Sequence, residues 1–262
     1  MTLPIQAIAT AFAKGRPAFM PYFSLGFPDY ATSLDIIAAC AENGADLMEL
    51  GLPFSDPLAD GPTIQHSTQI ALQNGITTAQ CLQAVKELRQ RGVTIPLMLM
   101  GYYNPILAFG LENFVHTAAQ NGANGLIVPD LPAEEAGELD RITQAYGLGL
   151  TYFLSPTSTP ERIHLIAQKA RGFVYLVSVT GITGARSSVS ADLQAFVGRV
   201  RAQVQVPLAV GFGISTPEQA RTVGELADGV IMGSQLIKLA EHNPNAVSEI
   251  GQFVKQVVQA LA

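Results

Sequence analysis

Leu208-Ala209-Val210-Gly211-Phe212-Gly213-Ile214-Ser215-Thr216-Pro217-Glu218 is the stretch that decides the fold. Its first residues form a short apolar run and its glycines open a tight connection. The last four supply a hydroxyl N-cap, an early proline and an acidic first helical turn. This is a strand handing over to a helix, and Ser158-Thr159-Pro160-Glu161 repeats the handover. Working outward, strand-like runs occur at Ala18–Leu25, Asp46–Gly51, Ile95–Met100, Gly125–Val128, Gly149–Leu154, Phe173–Ser178, Leu208–Gly211 and Gly229–Met232. Between them lie helical stripes such as Leu34, Ile37, Ala38 and Ala41, or Ile163, Ile166, Ala167 and Ala170. A last stripe, Val247, Ile250, Val254, Val257, Val258 and Leu261, closes the chain. The strands read as unbroken apolar runs, as strands covered on both faces do. Eight of them alternating with helices specify a parallel sheet, closed as a (β/α)8 barrel or open and doubly wound. No linker or shift of composition divides the chain, so residues 1–262 are expected to form a single α/β domain, a barrel.

Composition limits the function. The chain is 48% hydrophobic and only 14% charged, against roughly 25% charged in ordinary soluble proteins, which excludes disorder. Fifteen Lys plus Arg against 21 Asp plus Glu give a net charge of −6, with no basic cluster of the kind nucleic acids require. Cys40 and Cys81 lie in amphipathic segments without metal or redox spacing and read as reduced core residues of a cytoplasmic protein. Residues 92–111 carry no charge over 20 positions, yet Pro96, Gly101, Asn104 and Pro105 interrupt any spanning helix. That stretch reads as a buried strand followed by a turn. Lys14 and Arg16 follow the apolar part of the N-terminal segment, the wrong order for a secretory signal. His66, His116, His164 and His242 are scattered, His116 and His164 falling off the apolar stripes as solvated residues, and no metal site is expected.

In a barrel, chemistry belongs to the loops after the C-terminal ends of the strands. Alternation along Ala45–Gly51 puts Glu49 with Leu47 on one face and Met48 with Leu50 on the other. A carboxyl walled by apolar neighbours has its charged form disfavoured, which suits an acid/base group. The alternative is a structural ion pair. In the loop that follows, Asp56 fits Asp-Pro turn chemistry, while Asp60 before Gly61-Pro62 stays open between turn and site. Gly211-Phe212-Gly213 after the seventh strand and Gly233-Ser234 after the eighth sit where barrels build phosphate sites, and 235–239 would be the short extra helix. Tight turns are the alternative. No Lys or Arg adjoins either glycine pair, so backbone donors would carry the binding. Residues 179–188 read as a loop too polar and glycine-rich for helix, long enough to close over a ligand.

Glu49-Leu50-Gly51-Leu52-Pro53-Phe54-Ser55-Asp56-Pro57-Leu58-Ala59-Asp60-Gly61-Pro62-Thr63-Ile64-Gln65 resembles the signature segment of the tryptophan synthase alpha chain family. The likeness continues through Met20-Pro21-Tyr22, Leu25-Gly26, Val128-Pro129-Asp130-Leu131-Pro132, Gly181-Ile182-Thr183-Gly184-Ala185, Gly211–Ser215 and Gly233-Ser234, and so spans essentially the whole chain. The resemblance implies a TIM barrel with an extra N-terminal helix and a short helix after the eighth strand. It also implies cleavage of indole-3-glycerol phosphate to indole and glyceraldehyde 3-phosphate. On matching positions it assigns Glu49 as acid/base, Asp60 to the ring N–H and its cation, and Tyr175 beside the reacting carbons. Gly184, Gly213, Gly233 and Ser234 would bind phosphate. Tyr22, Phe212, Met100 and Ile127 would line the indole pocket, with Thr183 orienting Asp60. No cofactor is implied in this chain. The implied partner is a pyridoxal-phosphate β subunit in an α2β2 heterotetramer.

Two positions depart from the family pattern: Tyr22 stands where Phe is common, and Arg186 where several bacterial members carry an acidic residue. Competing readings are a stand-alone lyase releasing free indole and a non-catalytic regulator of the β subunit. A third, the synthase that makes indole-3-glycerol phosphate, needs a catalytic Lys on a strand, and the strands above contain none.

Overall fold

The computed structural model describes residues 3–177, 186–211 and 213–262, without the side chains of 186–190. Eight parallel strands close into a barrel in chain order: β1 (Ala18–Ser24), β2 (Met48–Gly51), β3 (Leu97–Met100), β4 (Gly125–Ile127), β5 (Gly149–Leu154), β6 (Val174–Val177), β7 (Leu208–Gly211) and β8 (Gly229–Met232). Closure joins β1 to β8, with Met20 opposite Ile231. Tyr22 lies opposite Glu49, and Glu49 opposite Met98.

Two apolar layers follow from the period-two alternation. Met20, Leu47, Met98, Ile127, Phe173, Tyr175, Ala209 and Ile231 point inward and fill the barrel. Phe23, Met48, Leu50, Leu99, Leu126, Leu176 and Val210 point outward into a larger core under the helices. The first helix, Pro4–Ala11, belongs to the inner layer because Ile8 plugs the barrel where Gly149 and Gly172 leave room. Both hydroxyl-proline handovers are helix starts. Thr159 accepts from Arg162 N with Pro160 in the first turn, and Thr216 caps Gln219 N with Pro217 likewise placed. The closing helix, Ala246–Leu261, buries Ile250, Val254, Val257 and Leu261 along one stripe.

Three expectations need correction. The segment after β3 is not a turn but the helix Tyr103–Phe109, since Pro105 falls in the first turn, where no intrahelical N–H is needed. The polar run 179–188 ends in helix, because Arg186–Arg201 is helical and its first turn makes no such demand either. His116 is half-buried, its ring 5.4 Å from that of Tyr146. Cys40 and Cys81 are buried free thiols, pushed up to about 12 by burial. Among the described residues no helix is long and apolar enough to cross a membrane.

Candidate active site

A cavity of about 290 Å³ opens at the C-terminal end of the barrel, lined by Tyr22, Glu49, Asp60, Met100, Tyr175, Gly213, Gly233 and Ser234, among others. Eight of the residues picked from the sequence thus meet in one place. Ile127 does not line the cavity; it is fully buried in the inner core. Thr183, Gly184 and Phe212 lie outside the described residues.

Glu49 points inward because Leu47 does, and it is 1% exposed. Its Oε1 is buried with no hydrogen-bond partner. The ion-pair alternative therefore fails at this oxygen, which no cation reaches. Burial pushes the carboxyl well above the usual carboxylate range, and the charge of Asp60 adds to the push. Asp60 experiences a milder version of the same field. Burial raises it to about 6, against a hydrogen bond from Tyr102 that lowers it. Tyr102 Oη donates to Asp60 Oδ2 at 2.9 Å and accepts from Ala59 N at 2.9 Å. Gln65 Nε2 also donates to the Asp60 carbonyl at 2.9 Å, so the Asp60 loop is held from two sides. Asp56 is exposed, bonded to Ser55 and outside the cavity lining, as turn chemistry predicts.

Two tyrosines flank Glu49. Tyr175 is 6% exposed and stacks on Phe153 at 4.8 Å. Burial raises its phenol, with further contributions from Glu49 and Asp60, so it stands as a neutral hydroxyl. Tyr22 is tied down by a directed relay. Ser67 Oγ donates to the Ile64 carbonyl at 2.8 Å, so it must accept from Ser24 Oγ at 2.7 Å. Ser24 then accepts from Tyr22 Oη at 3.1 Å. The extra hydroxyl at position 22 is thus committed inward. Glycines make space for both rings: a Cβ on Gly51 would overlap the Tyr22 hydroxyl, and one on Gly211 the Tyr175 hydroxyl. The sequence reading missed this space-making role of the two glycines, and it missed Tyr102.

After β7, Gly213 has φ +76°, a backbone state that favours glycine. Its loop is pinned by Gln219 Oε1, which accepts from Ser215 N at 2.8 Å and Ser215 Oγ at 3.1 Å. The short helix Ser234–Ala240 starts at the cavity edge, as expected. No Lys or Arg adjoins the glycines along the chain, but one stands close by in the helix. Lys238, one helical turn beyond Ser234, lines the cavity. Adjacency along the chain hid it; i, i+4 spacing would have found it. Among the described residues no group of three or more His, Cys, Asp or Glu is arranged to hold a metal.

The arrangement supports proton transfer. One carboxyl holds its proton well above the usual carboxylate range and a second is raised to about 6, in a cavity that Gly213, Gly233 and Ser234 also line. The family model of the tryptophan synthase alpha chain matches residues 8–261. Among curated relatives, the tryptophan synthase alpha chain of Dehalococcoides mccartyi is 47% identical over 98% of this chain and 100% of its own. That of Chloroflexus aurantiacus is 48% identical, covering 98% and 99%. Among solved structures, tryptophan synthase subunit alpha from Legionella pneumophila superposes with a TM-score of 0.91 at 36% identity, covering 100% of this chain and 99% of that one. A chain of M. tuberculosis tryptophan synthase gives 0.88 at 32% identity, covering 98% and 96%. By family model, relatives and architecture together, the chain belongs to the tryptophan synthase alpha chain family, lyases that cleave indole-3-glycerol phosphate to indole and glyceraldehyde 3-phosphate.

Proposed function

We propose that Glu49 and Asp60 divide the acid/base and electrostatic work of this cleavage. The observation that carries the assignment is the pair itself, two carboxyls in one cavity, one fully buried with an unpartnered oxygen and the other held by the Tyr102 hydroxyl. Breaking the bond from indole C3 to the first carbon of the glycerol chain requires C3 to become tetrahedral. The ring nitrogen then carries positive charge and the ring serves as electron sink. Glu49, held protonated, gives its proton to C3. Asp60, ionised, accepts the ring N–H and balances the cation. The C3–carbon bond then breaks, its electrons return to the ring, and the hydroxyl on the departing carbon becomes the aldehyde. Glu49, now a carboxylate, takes that hydroxyl proton and is restored. Tyr175 sits beside this exchange as a neutral donor. Met100 and the ring of Tyr22 wall the indole, and Gly213, Gly233 and Ser234 face the phosphate.

The reading extends to a β subunit in an α2β2 assembly, which holds pyridoxal phosphate and consumes the indole. This chain needs no cofactor of its own because the substrate's ring supplies the electron sink. Support for the partner comes from the loop that carries Asp60. Leu58 at its crest is 91% exposed, and Leu107 on the helix after β3 is 49% exposed. Both lie on segments that leave the C-terminal ends of strands, β2 and β3, and a partner seated on Leu58 would press on the loop that holds Asp60. A cytoplasmic setting agrees with two unpaired buried thiols.

Indole release from indole-3-glycerol phosphate tests the assignment, measured with the wild-type chain and with Glu49→Gln, each with and without β subunit. The expected result is slow release that rises with β and vanishes in the variant. Fast release indifferent to β would mark a stand-alone lyase. No release by the wild type, with β activated nonetheless, would mark a regulator and overturn the catalytic assignment.

A further inference from the structure

We infer that Lys238 is the charge-selecting residue of this site, the group that makes the cavity prefer a ligand with an anionic tail. The inference rests on the proposed reaction, whose substrate carries a phosphate. The cavity lining carries both signs of charge. Glu49 and Asp60 line it from β2 and the loop that follows, whereas Gly233, Ser234 and Lys238 line it from the end of β8 and the helix that follows. Among the described residues it is the only Lys or Arg lining the cavity, and it makes no ion pair there. Several cations elsewhere are committed: Arg16 and Lys14 to Asp46, Arg171 to Asp140, Arg201 to Asp228.

Helix geometry puts Lys238 where an anion would use it. Ser234 and Lys238 are four residues apart in Ser234–Ala240, hence on one face. Side chains in a helix lean toward its N-terminus, so the ammonium of Lys238 leans back toward Ser234 and Gly233. The remainder of the chain makes this one charge matter. A net charge of −6 repels a phosphate ester, and the carboxyls of the cavity repel it further. Backbone N–H groups supply hydrogen bonds but no net charge. Lys238 supplies the charge, and because it is exposed its influence is screened by salt. It acts on capture and orientation rather than on the bonds that break.

Lys238→Met and Lys238→Arg test this in the full chain. At low ionic strength Lys238→Met is expected to raise KM for indole-3-glycerol phosphate about tenfold, the lower end of electrostatic steering, with kcat little changed. The deficit should shrink in about 0.5 M salt, and Lys238→Arg should restore the wild-type value. Two binding probes need no turnover. Inorganic phosphate, followed by shifts in the NMR spectrum, should bind Lys238→Met about tenfold more weakly, in line with the same steering estimate. Indole, which is uncharged, should bind both proteins equally. Unchanged KM and unchanged phosphate affinity at low salt would overturn the inference, as would a loss confined to kcat. A wild type that binds phosphate but cleaves nothing would sink the proposed reaction instead, while the phosphate comparison would still decide the role of Lys238.

Discussion

The two ends of the barrel treat buried charge in opposite ways. At the N-terminal end, Asp46 has a fully buried side chain with every oxygen engaged. It accepts from Arg16 at 2.7 and 3.1 Å, from Lys14 at 2.8 Å and from Phe19 N at 2.7 Å. Arg89 there donates to the carbonyls of Gly122, Val93 and Ile95 and to Asn124 Oδ1, while Asn124 reaches across to the Pro4 carbonyl. At the C-terminal end Glu49 is equally buried, yet Oε1 has no partner. An unmet buried oxygen costs stability, and the mouth retains it where the floor does not. The contrast separates groups held for stability from groups held ready to exchange a proton, as expected of the two faces of such a barrel.

Glu49→Gln makes the sharpest break between the ends. Cleavage should fall about 10³-fold, within the usual worth of a positioned acid/base group, as read by single-turnover indole release. Folding should not suffer. The pKa of Glu49 is higher in the folded than in the unfolded chain, so the folded state holds the extra proton. Stability then falls as pH rises from the ordinary carboxylate value through the raised one. Glu49→Gln removes that slope, so its advantage in Tm over the wild type should grow from pH 5 to pH 8. A Tm deficit that grows over that range would show that the buried carboxyl stabilises the fold.

Arg89→Met is the mirror experiment. It removes a donor from the Gly122, Val93 and Ile95 carbonyls, while Asn124 Oδ1 keeps the Leu97 N–H, and should cost about 3 kcal/mol in urea unfolding, the upper range for leaving buried polar groups unmet. Per folded molecule, kcat should be unchanged. A kcat that fell with stability intact would show that the floor communicates with the mouth.

Legibility in the sequence divides along the same line. The strands were readable because both of their faces are apolar, and Glu49 stood out as a charge within such a run. Asp60 stayed undecided on local grounds, since a turn would use the same residue. What settles its environment is Tyr102, 42 positions away and brought near only when β2 and β3 pair. No local pattern announces such a contact. Lys238 and the helix Tyr103–Phe109 are different, being misread rather than hidden. One needed helical rather than sequential adjacency, and the other needed Pro105 to be read as a first-turn residue. Gly51 was read as a strand end and signature residue and Gly211 as part of a phosphate-binding turn, although their missing side chains are what admit Tyr22 and Tyr175.

Tyr102→Phe gives the smallest effect and tests how the mouth is tuned. Asp60 must be ionised to balance the ring cation, so kcat/KM should fall as pH drops through about 6. The Tyr102 hydroxyl donates to the carboxylate form and so lowers the pKa of Asp60. Without it the carboxyl holds its proton to higher pH, and the acidic limb of the profile should move upward by about half a unit to one unit, the worth of a partly exposed hydrogen bond to a charge. The ring remains against Phe54, whose centroid lies 5.4 Å away, so packing is kept. Ala59 N also loses its acceptor, which loosens the Asp60 loop and should lower the plateau rate slightly. The two consequences separate in the data, because loosening scales the curve while the lost hydrogen bond displaces it along the pH axis. A limb that stayed in place, or moved to lower pH, would mean that Tyr102 does not tune Asp60, and that the mouth's poise comes from burial alone.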